Sequence, residues 1–520
     1  MTLLFILPIL LLIIHTLHSL VYTPLTSPLS SLPGPFYTKF TSLVLKYHEL
    51  RATRTRYIHA LHLRYGPVVR IAPNEVSFAS REGVKEIYCS GGSGYDKSAW
   101  YDLFRVYGRR TMFTTLNKND HAQRKRILAD RYANSNVIRQ PSLNGIVERA
   151  GRVVKRCVES LGGSLDLYIC ESRIEYYNEH HQIHHEGLHS YAYDCITHHL
   201  FHPYGADSLR NKQDEEIMRE VTFDDSLQNR QLSYYSPTLH KAISKILYIW
   251  GVKPRETPLA DKFVLETAAK TDAAPFTLLN RLQSVLNNNS NEDDDKDSKL
   301  AKIDQLDIAA EVLDHMVAGI DTTGDALCFL MWELSQPRSL QYQIKLREEL
   351  LSFPADLSFD KLPYLDAVVM EGLRCFPAIP MSLPRIVPRG GKTIDGYFLP
   401  EGTTVSCQAH SIHRIDREAW GPDPDVFRPE RWLEEKADKE GRKRLFFAFA
   451  NGGRGCVGKH LALAEMKILL REVYSRFTTI PDETMREEDM EMADQLISSR
   501  PAGLKCLLKF EPIGGQEVVV

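Results

Sequence analysis

The stretch QLDIAAEVLDHMVAGIDTTGDALCFLMWELS, Gln305 to Ser335, reads as one uninterrupted helix. It is too long for an ordinary globular helix, and its apolar residues fall on most faces instead of a single stripe. A helix of that kind needs protein on every side, so the rest of the chain has to supply a large body wrapped around it. A further helix is expected across KLPYLDAVVMEGLRC. Strand patterns are short and fewer: PVVRIAP at 67–73, YFLPEGTTVSCQ at 397–408 and LKCLLKFEP at 504–512. The expected class is mainly α with small β-sheets. Residues 287–299, NNNSNEDDDKDSK, carry no apolar periodicity and read as an exposed loop before the long helix. No internal repeat is found.

Composition excludes several classes. With 64 Lys plus Arg against 67 Asp plus Glu in 520 residues, no global field would hold nucleic acid or an anionic bilayer. Any membrane contact has to be local and apolar. Nine cysteines without a C-x-x-C spacing argue against a secreted disulfide framework or a Cys-rich zinc site, and for a reducing compartment.

Residues 3–21, LLFILPILLLIIHTLHSLV, contain no formally charged side chain and are about the length a helix needs to cross a hydrocarbon core. No basic segment precedes them and no small-x-small cleavage site follows, so a membrane anchor over 1–22 is expected instead of a cleaved signal. The first basic residues beyond it are Lys39, Lys46, Arg51, Arg54 and Arg56, which keeps the following body cytosolic and the N-terminus lumenal. Pro24, Pro28, Pro33 and Pro35 make residues 23–36 a stiff extended hinge. One large domain, 37–520, follows.

Near the C-terminus, FAFANGGRGCVGKHLALAEMKILL presents Cys456 in a Gly-rich loop just before an amphipathic helix. The helix N-terminus and Arg454 would favour a thiolate there. Glycines 452, 453, 455 and 458 allow a flat cofactor to approach the backbone closely, and Phe449 can shield the sulfur from solvent. Phe449, Gly452, Arg454, Cys456 and Gly458 satisfy F-x-x-G-x-R-x-C-x-G, and this loop resembles the haem-binding loop of cytochrome P450 enzymes. The resemblance runs over nearly the whole chain and implies the triangular, mostly helical fold of that family. It also implies haem b with Cys456 as axial iron ligand, which pushes electron density onto the metal.

Further motifs stand in the family's order. Glu371 and Arg374 in EGLR share a helix face and resemble its Glu-x-x-Arg pair, which with Arg431 of FRPERW ties the loops beneath the haem. AGIDTT at 318–323 resembles its oxygen-activation motif. By that resemblance Thr322 hydrogen-bonds iron-bound oxygen, Asp321 helps relay protons, and Ala318 and Gly319 leave room above the haem. Haem propionates require cationic partners, and the resemblance assigns them to Arg454, to Arg385 in LPRIVP, and to His121 and Lys125 of HAQRKRIL, with Arg124 as an alternative on that helix. AIPMSL at 378–383 and LISSR at 496–500 stand where family members line the substrate pocket.

The implied activity is an NADPH- and O2-dependent monooxygenase of the endoplasmic-reticulum membrane. Electrons would come from NADPH-cytochrome P450 reductase, with cytochrome b5 as a further partner, since the chain has no recognisable flavin or nicotinamide domain. The substrate would be a mostly apolar small molecule, and the chain resembles fungal members of secondary metabolism. A second class is offered by residues 180–202, which hold eight of 19 histidines and include HEGLH. On a helix, His185 and His189 could bind zinc with Glu186 as general base of a metalloprotease, although Gly187 weakens such a helix. A non-catalytic, membrane-tethered haem carrier is a third reading, which Asp321 and Thr322 argue against.

Residues of about 170–187 read as an insertion, retained intron sequence in origin. LDLY at 165–168 and LHSYAYDCITHHLF at 188–201 resemble parts of the family that lie closer together, and the material between them matches neither neighbour's periodicity. Cys170-Glu171-Ser172 can be encoded TGT GAG TCN, with a GTGAGT donor, and Glu186-Gly187 can be encoded GAA GGN, with an AG acceptor in the same phase. Excision from the second base of codon 170 through the first base of codon 187 removes 187 − 170 = 17 codons and keeps the frame.

Overall fold

The computed structural model describes residues 22–168, 184–185, 187–222, 227–251, 257–291, 303–354, 357–435 and 438–515. The expected anchor, apart from Tyr22, lies outside the described residues, as does most of 170–187. Among the described residues no helix is long and apolar enough to cross a membrane.

The long helix runs Gln305–Ser335. It starts on a reciprocal cap, in which the Asp304 carboxylate accepts the Asp307 N–H and the Asp307 carboxylate accepts the Asp304 N–H. Ile308, Val312, Met316, Ile320, Leu327, Leu330 and Leu334 are completely buried, so the all-round apolar pattern does mark a central position. The helix Leu188–Phe201, buried along its whole length, packs on it. Two glycines permit the close approach. A Cβ on Gly319 would stand 2.7 Å from Ile196 Cγ1, and one on Gly324 2.8 Å from the His189 ring. Gly319 therefore makes room for a neighbouring helix, and it also lines the cavity, where the resemblance expects it to leave space.

Helices dominate, with small sheets at the side. Val68–Ala72, Glu75–Phe78, Thr404–Cys407, Arg385–Ile386 and Asp96–Lys97 form a five-stranded sheet in that spatial order, with Val76 paired in parallel to Val405. The pattern read across 397–408 divides into Tyr397–Leu399 and Thr404–Cys407, while Leu507–Pro512 pairs with Phe477–Pro481 and Leu165–Asp166. The helix Leu278–Asn291 takes in the first residues of the stretch expected to be a loop, and 292–299 lie outside the described residues.

The proline-rich stretch docks on the body. Leu29 and Leu32 are buried with Val68 and Val76, Arg70 N–H donates to the Pro33 carbonyl at 2.8 Å, and the Arg70 guanidinium reaches the Leu29 carbonyl at 3.1 Å. Alternating leucines between the prolines give this segment an apolar side to bury, which the proline pattern alone had hidden.

HEGLH does not form one helical turn. His184–His185 is a two-residue strand paired in parallel with Leu165–Asp166, Gly187 is the helix N-cap, and His189 lies inside the helix, its Nε2 3.3 Å from Asp325 Oδ1. Glu186 is outside the described residues. The i, i+4 zinc pair is thus lost, and among the described residues no group of three or more His, Cys, Asp or Glu is placed to hold a metal ion. The flanks of the suspected insertion do meet: Leu188 N–H donates to the Leu167 carbonyl at 2.8 Å.

Candidate active site

A cavity lies beneath the long helix, with about 1810 Å³ of space between atoms, part of it continuous with solvent. Its lining is drawn from the long helix, the cysteine loop and the segment around Ala378 to Arg385. Cys456 stands in its floor and is the one exposed cysteine among the described residues.

The loop that carries it is fixed by its backbone. Ala450 N–H donates to Phe447 C=O at 3.0 Å, Gly455 N–H to Gly452 C=O at 3.0 Å, and Cys456 N–H to Phe449 C=O at 2.8 Å. Gly452 has φ +72°, and a Cβ there would come within 2.0 Å of the Tyr88 carbonyl oxygen, so the motif's glycine answers a steric demand. Gly458 is the N-cap of the helix Lys459–Tyr474. Burial pushes the Cys456 thiol up, while the N–H groups of Gly458 and Lys459 and the ammonium groups of Lys125 and Lys459 pull it down without prevailing. The thiolate therefore lacks one partner, and a coordinated metal would supply that charge.

Arg454 is not that neighbour, contrary to the sequence expectation. Its guanidinium donates to the carbonyls of Leu116 at 2.7 Å and Tyr95 at 3.3 Å. Lys125 also departs from the expected place. Its Nζ binds the carbonyls of Gly453 at 3.0 Å and Gly455 at 2.9 Å, clamping the cysteine loop, and it does not line the cavity. Arg124 donates to the Arg110 carbonyl and lies 3.5 Å from Glu311.

One wall of the cavity gathers Lys97, His121, Arg385 and Arg454, all buried. Burial and the mutual repulsion of this set push Lys97 well down, Arg454 down to about 10 and His121 down to about 2. Burial and these cations thus disfavour a charge on His121, which the resemblance had expected to serve as a cation. Arg385 Nη1 binds the Tyr101 hydroxyl at 2.9 Å, yet Nε of Arg385 and Nε of Arg454 are buried with no hydrogen-bond partner. Buried cations in such density call for anions. A flat cofactor with two carboxylates on one edge and a metal over Cys456 fits these residues. Lys97 was not found from sequence, because a lone lysine in YDKSAW carries no spacing signal.

Beneath the floor, Glu371 is completely buried and fully bonded. Oε1 accepts from Arg374 Nη2 at 2.8 Å, Arg431 Nε at 3.0 Å and the Arg428 N–H at 2.9 Å, and Oε2 accepts from Arg374 Nε at 2.8 Å and Trp432 Nε1 at 2.9 Å. Burial would push the carboxyl up, but Arg374 and then Arg431 outweigh it and hold it below the ordinary value. The three residues read from sequence are brought together, with Trp432 and the Arg428 amide in addition.

The roof presents Ala318, Asp321, Thr322 and Thr323. Thr322 Oγ1 donates to the Ala318 carbonyl at 2.7 Å, the back-bond expected of a helical threonine, which leaves its lone pairs able to accept. Glu465, also lining the cavity, is buried with Oε1 unpartnered. Burial pushes its carboxyl well up against the opposing pull of Thr323 and Arg149. Sequence reading missed it within the amphipathic pattern of its helix. Ala378, Ile379, Leu383, Ile497 and Ser498 line the remaining wall, so both segments expected to face substrate do reach the cavity.

Comparison with known proteins agrees with this geometry. The family model described as Cytochrome P450 matches residues 32–507. The chain is 27% identical over 517 residues to cytochrome P450 monooxygenase orf2 of Aspergillus niger, covering 95% of this chain and 96% of that one. It is 27% identical over 481 residues to cytochrome P450 monooxygenase hepC of Aspergillus oryzae, covering 88% of each. It is 26% identical over 504 residues to cytochrome P450 monooxygenase stcB of Emericella nidulans, covering 93% of this chain and 88% of that one.

Proposed function

The chain belongs to the cytochrome P450 family, and from that premise we propose that it is a membrane-bound monooxygenase that oxidises a mostly apolar small molecule of fungal secondary metabolism, with electrons from NADPH passed on by a separate flavoprotein reductase. Its cofactor is haem b, which when bound supplies a thiolate-ligated iron where dioxygen is reduced and one oxygen atom enters an organic substrate. The carrying observation is the pairing of one cavity-facing cysteine with a wall of buried basic side chains, two of which keep an unpartnered Nε.

The chain's own residues divide the work. Cys456 offers its sulfur, and the backbone N–H groups of Gly458 and Lys459 temper the charge on it. Lys97, His121, Arg385 and Arg454, which line one wall of the cavity, would hold the propionate carboxylates. Phe449 covers the sulfur side, while Glu371, Arg374 and Arg431 keep the loops beneath from shifting. Above, Thr322 accepts and passes a hydrogen bond, and Asp321 carries protons toward the cavity, so that water is admitted as a proton source but not in bulk. Phe104, Phe113, Ile379 and Ile497 in the lining favour an apolar substrate.

Membrane attachment is supported by the apolar residues 3–21 and by an exposed apolar side. Phe36, Phe40, Leu43 and Tyr47 are exposed, as are Ile246, Tyr248, Ile249 and Trp250. The helix Leu43–Leu50 meets the chain just before the helix Pro237–Ile249, where the Tyr235 hydroxyl binds Glu49 at 2.7 Å and Lys46 lies over the Tyr235 ring. The catalytic body would face the cytosol from the endoplasmic reticulum, where cytochrome b5 is a further electron donor.

The test is a difference spectrum with a panel of apolar ligands, then product analysis with reductase and NADPH. In Thr322→Ala, ligand-induced spectra should persist while the share of electrons lost to peroxide rises about ten-fold, as expected when a positioned proton donor is disturbed. Unchanged coupling would remove Thr322 from the proposal, and absence of any oxygenated product across the panel would count against the substrate class.

A further inference from the structure

His413 lies on the short helix Ala409–Ile415, between two parts of the haem floor that no motif joins. Its imidazole is completely buried. Nδ1 stands 3.0 Å from the Arg374 carbonyl oxygen, at the end of the Glu-x-x-Arg helix, and Nε2 stands 2.8 Å from the Phe447 backbone nitrogen. A carbonyl only accepts and a backbone N–H only donates, so Nδ1 carries the proton and Nε2 presents its lone pair. One tautomer of the neutral ring satisfies both ends at once. Burial, with Arg374 and Arg414 close by, pushes the imidazole pKa well down and keeps that form. Phe446 is stacked on the ring at 5.6 Å and 10°, and Trp420 meets it edge-on at 5.7 Å, so its orientation is fixed by packing as well.

From Phe447 the constraint runs on through the backbone. Phe447 C=O accepts the Ala450 N–H and Phe449 C=O accepts the Cys456 N–H. The Glu371 carboxylate, by contrast, is bonded only within the Glu-x-x-Arg helix and residues 428–432. Lys125 clamps the far end of the cysteine loop at Gly453 and Gly455, which leaves the near end to His413. We propose that His413 is a positioning residue for Cys456, an imidazole strut that transfers the rigidity of the Glu-x-x-Arg helix to the loop and so fixes where the ligand sulfur stands. This rests on the reading of Cys456 as the haem ligand.

Two amides divide the strut's functions. In His413→Gln the side-chain oxygen reaches about where Nε2 stood and still accepts from Phe447. In His413→Asn the amide nitrogen replaces Nδ1, still donates to Arg374, and leaves Phe447 unbonded. Both lose the aromatic packing alike. After reduction under carbon monoxide, the red-shifted thiolate-type Soret band should decay about ten-fold faster in His413→Asn than in His413→Gln at similar thermal midpoints, as loss of one buried hydrogen bond implies. Equal decay in the two variants would overturn the proposal. Hydrogen exchange of a peptide covering 446–456 keeps the test open should haem be lost: exchange faster in His413→Asn than in His413→Gln supports the strut, and equal exchange refutes it. A parent protein with no thiolate-type band would instead count against Cys456 itself.

Discussion

Below the cavity, the cysteine loop and the segments beneath it are held by directional bonds: a completely buried carboxylate with five donors, backbone turns closed on glycine, and a lysine clamped on two carbonyls. Above it, the long helix has directional bonds toward its ends, but its middle, over the cavity, is held by contact, with Ile320, Leu327 and Leu330 completely buried and Gly319 pressed on Ile196. Directional bonds fail when one group is changed, because a buried charge or donor is left alone. Packed surfaces yield by small repacking. The floor should therefore answer substitution abruptly and the roof gradually.

The largest effect is expected in the floor. Cys456→Ala removes the one cysteine among the described residues that lines the cavity, and the thiolate-type band of the ferrous carbonyl complex should vanish completely. Retention of that band in the variant would break the assignment and the comparison with it.

Next comes the buried ion set. Arg374→Met should cost about 3–5 kcal/mol, since Glu371 keeps its charge without its bidentate partner, read as a fall in the denaturant midpoint. The pH dependence has a definite sign. Glu371 is held below its ordinary value of 4.5, so its contribution is present above that pH and is lost as pH falls through the folded value. The stability gap between the parent and Glu371→Gln should narrow as pH drops below about 4.5. A gap that stays constant with pH would mean that the carboxylate's charge is not what holds the floor.

Two alanines compare floor and roof directly. At Gly452, φ is +72° and the new Cβ would meet a backbone oxygen at 2.0 Å; at Gly319 it would meet a side-chain carbon of Ile196 at 2.7 Å. Gly452→Ala should cost about 2–4 kcal/mol, from left-handed strain plus a clash that backbone cannot relieve. Gly319→Ala should cost about 1–2 kcal/mol, because the contacts are to side-chain atoms of Ile196, including its Cβ at 2.9 Å, and a small separation of the two packed helices relieves them. Equal losses would show the roof to be as unyielding as the floor.

The same contrast explains what could be read from sequence. Residues bound to a fixed spacing were legible: Phe449 to Gly458 around a turn that demands glycine, Glu371 and Arg374 on one helix face, and the long helix from its all-round apolar pattern. Lys97, His413 and Glu465 were not, because each acts through partners far away in sequence and none repeats at a helical or strand period. Lys125 and His121 were placed on the right helix but in other roles. The first clamps the loop, and burial and then cationic neighbours push the second toward its neutral form. The HEGLH pattern failed because a helix begins within it, at Gly187.

The smallest effect is expected between floor and roof, where Leu165–Asp166 leads toward the helix Leu188–Phe201. Leu188 N–H already donates to the Leu167 carbonyl at 2.8 Å. Deleting residues 171–187, which are 187 − 170 = 17 residues, leaves three residues between these two, so the same bond becomes an i to i+4 bond of the kind that opens a helical turn. The deletion also removes the two-residue strand His184–His185, which is at the edge of its sheet, and it shortens the connection, which lowers the entropy of closing it. The two effects oppose each other, and the thermal midpoint should move by the equivalent of about 1 kcal/mol or less, with the haem spectrum unchanged. If the segment is retained intron sequence, the mature transcript lacks these 17 codons, joined at codon 170. A transcript that keeps them, together with a deleted protein that no longer loads haem, would make the segment part of the working fold and return interest to its histidines.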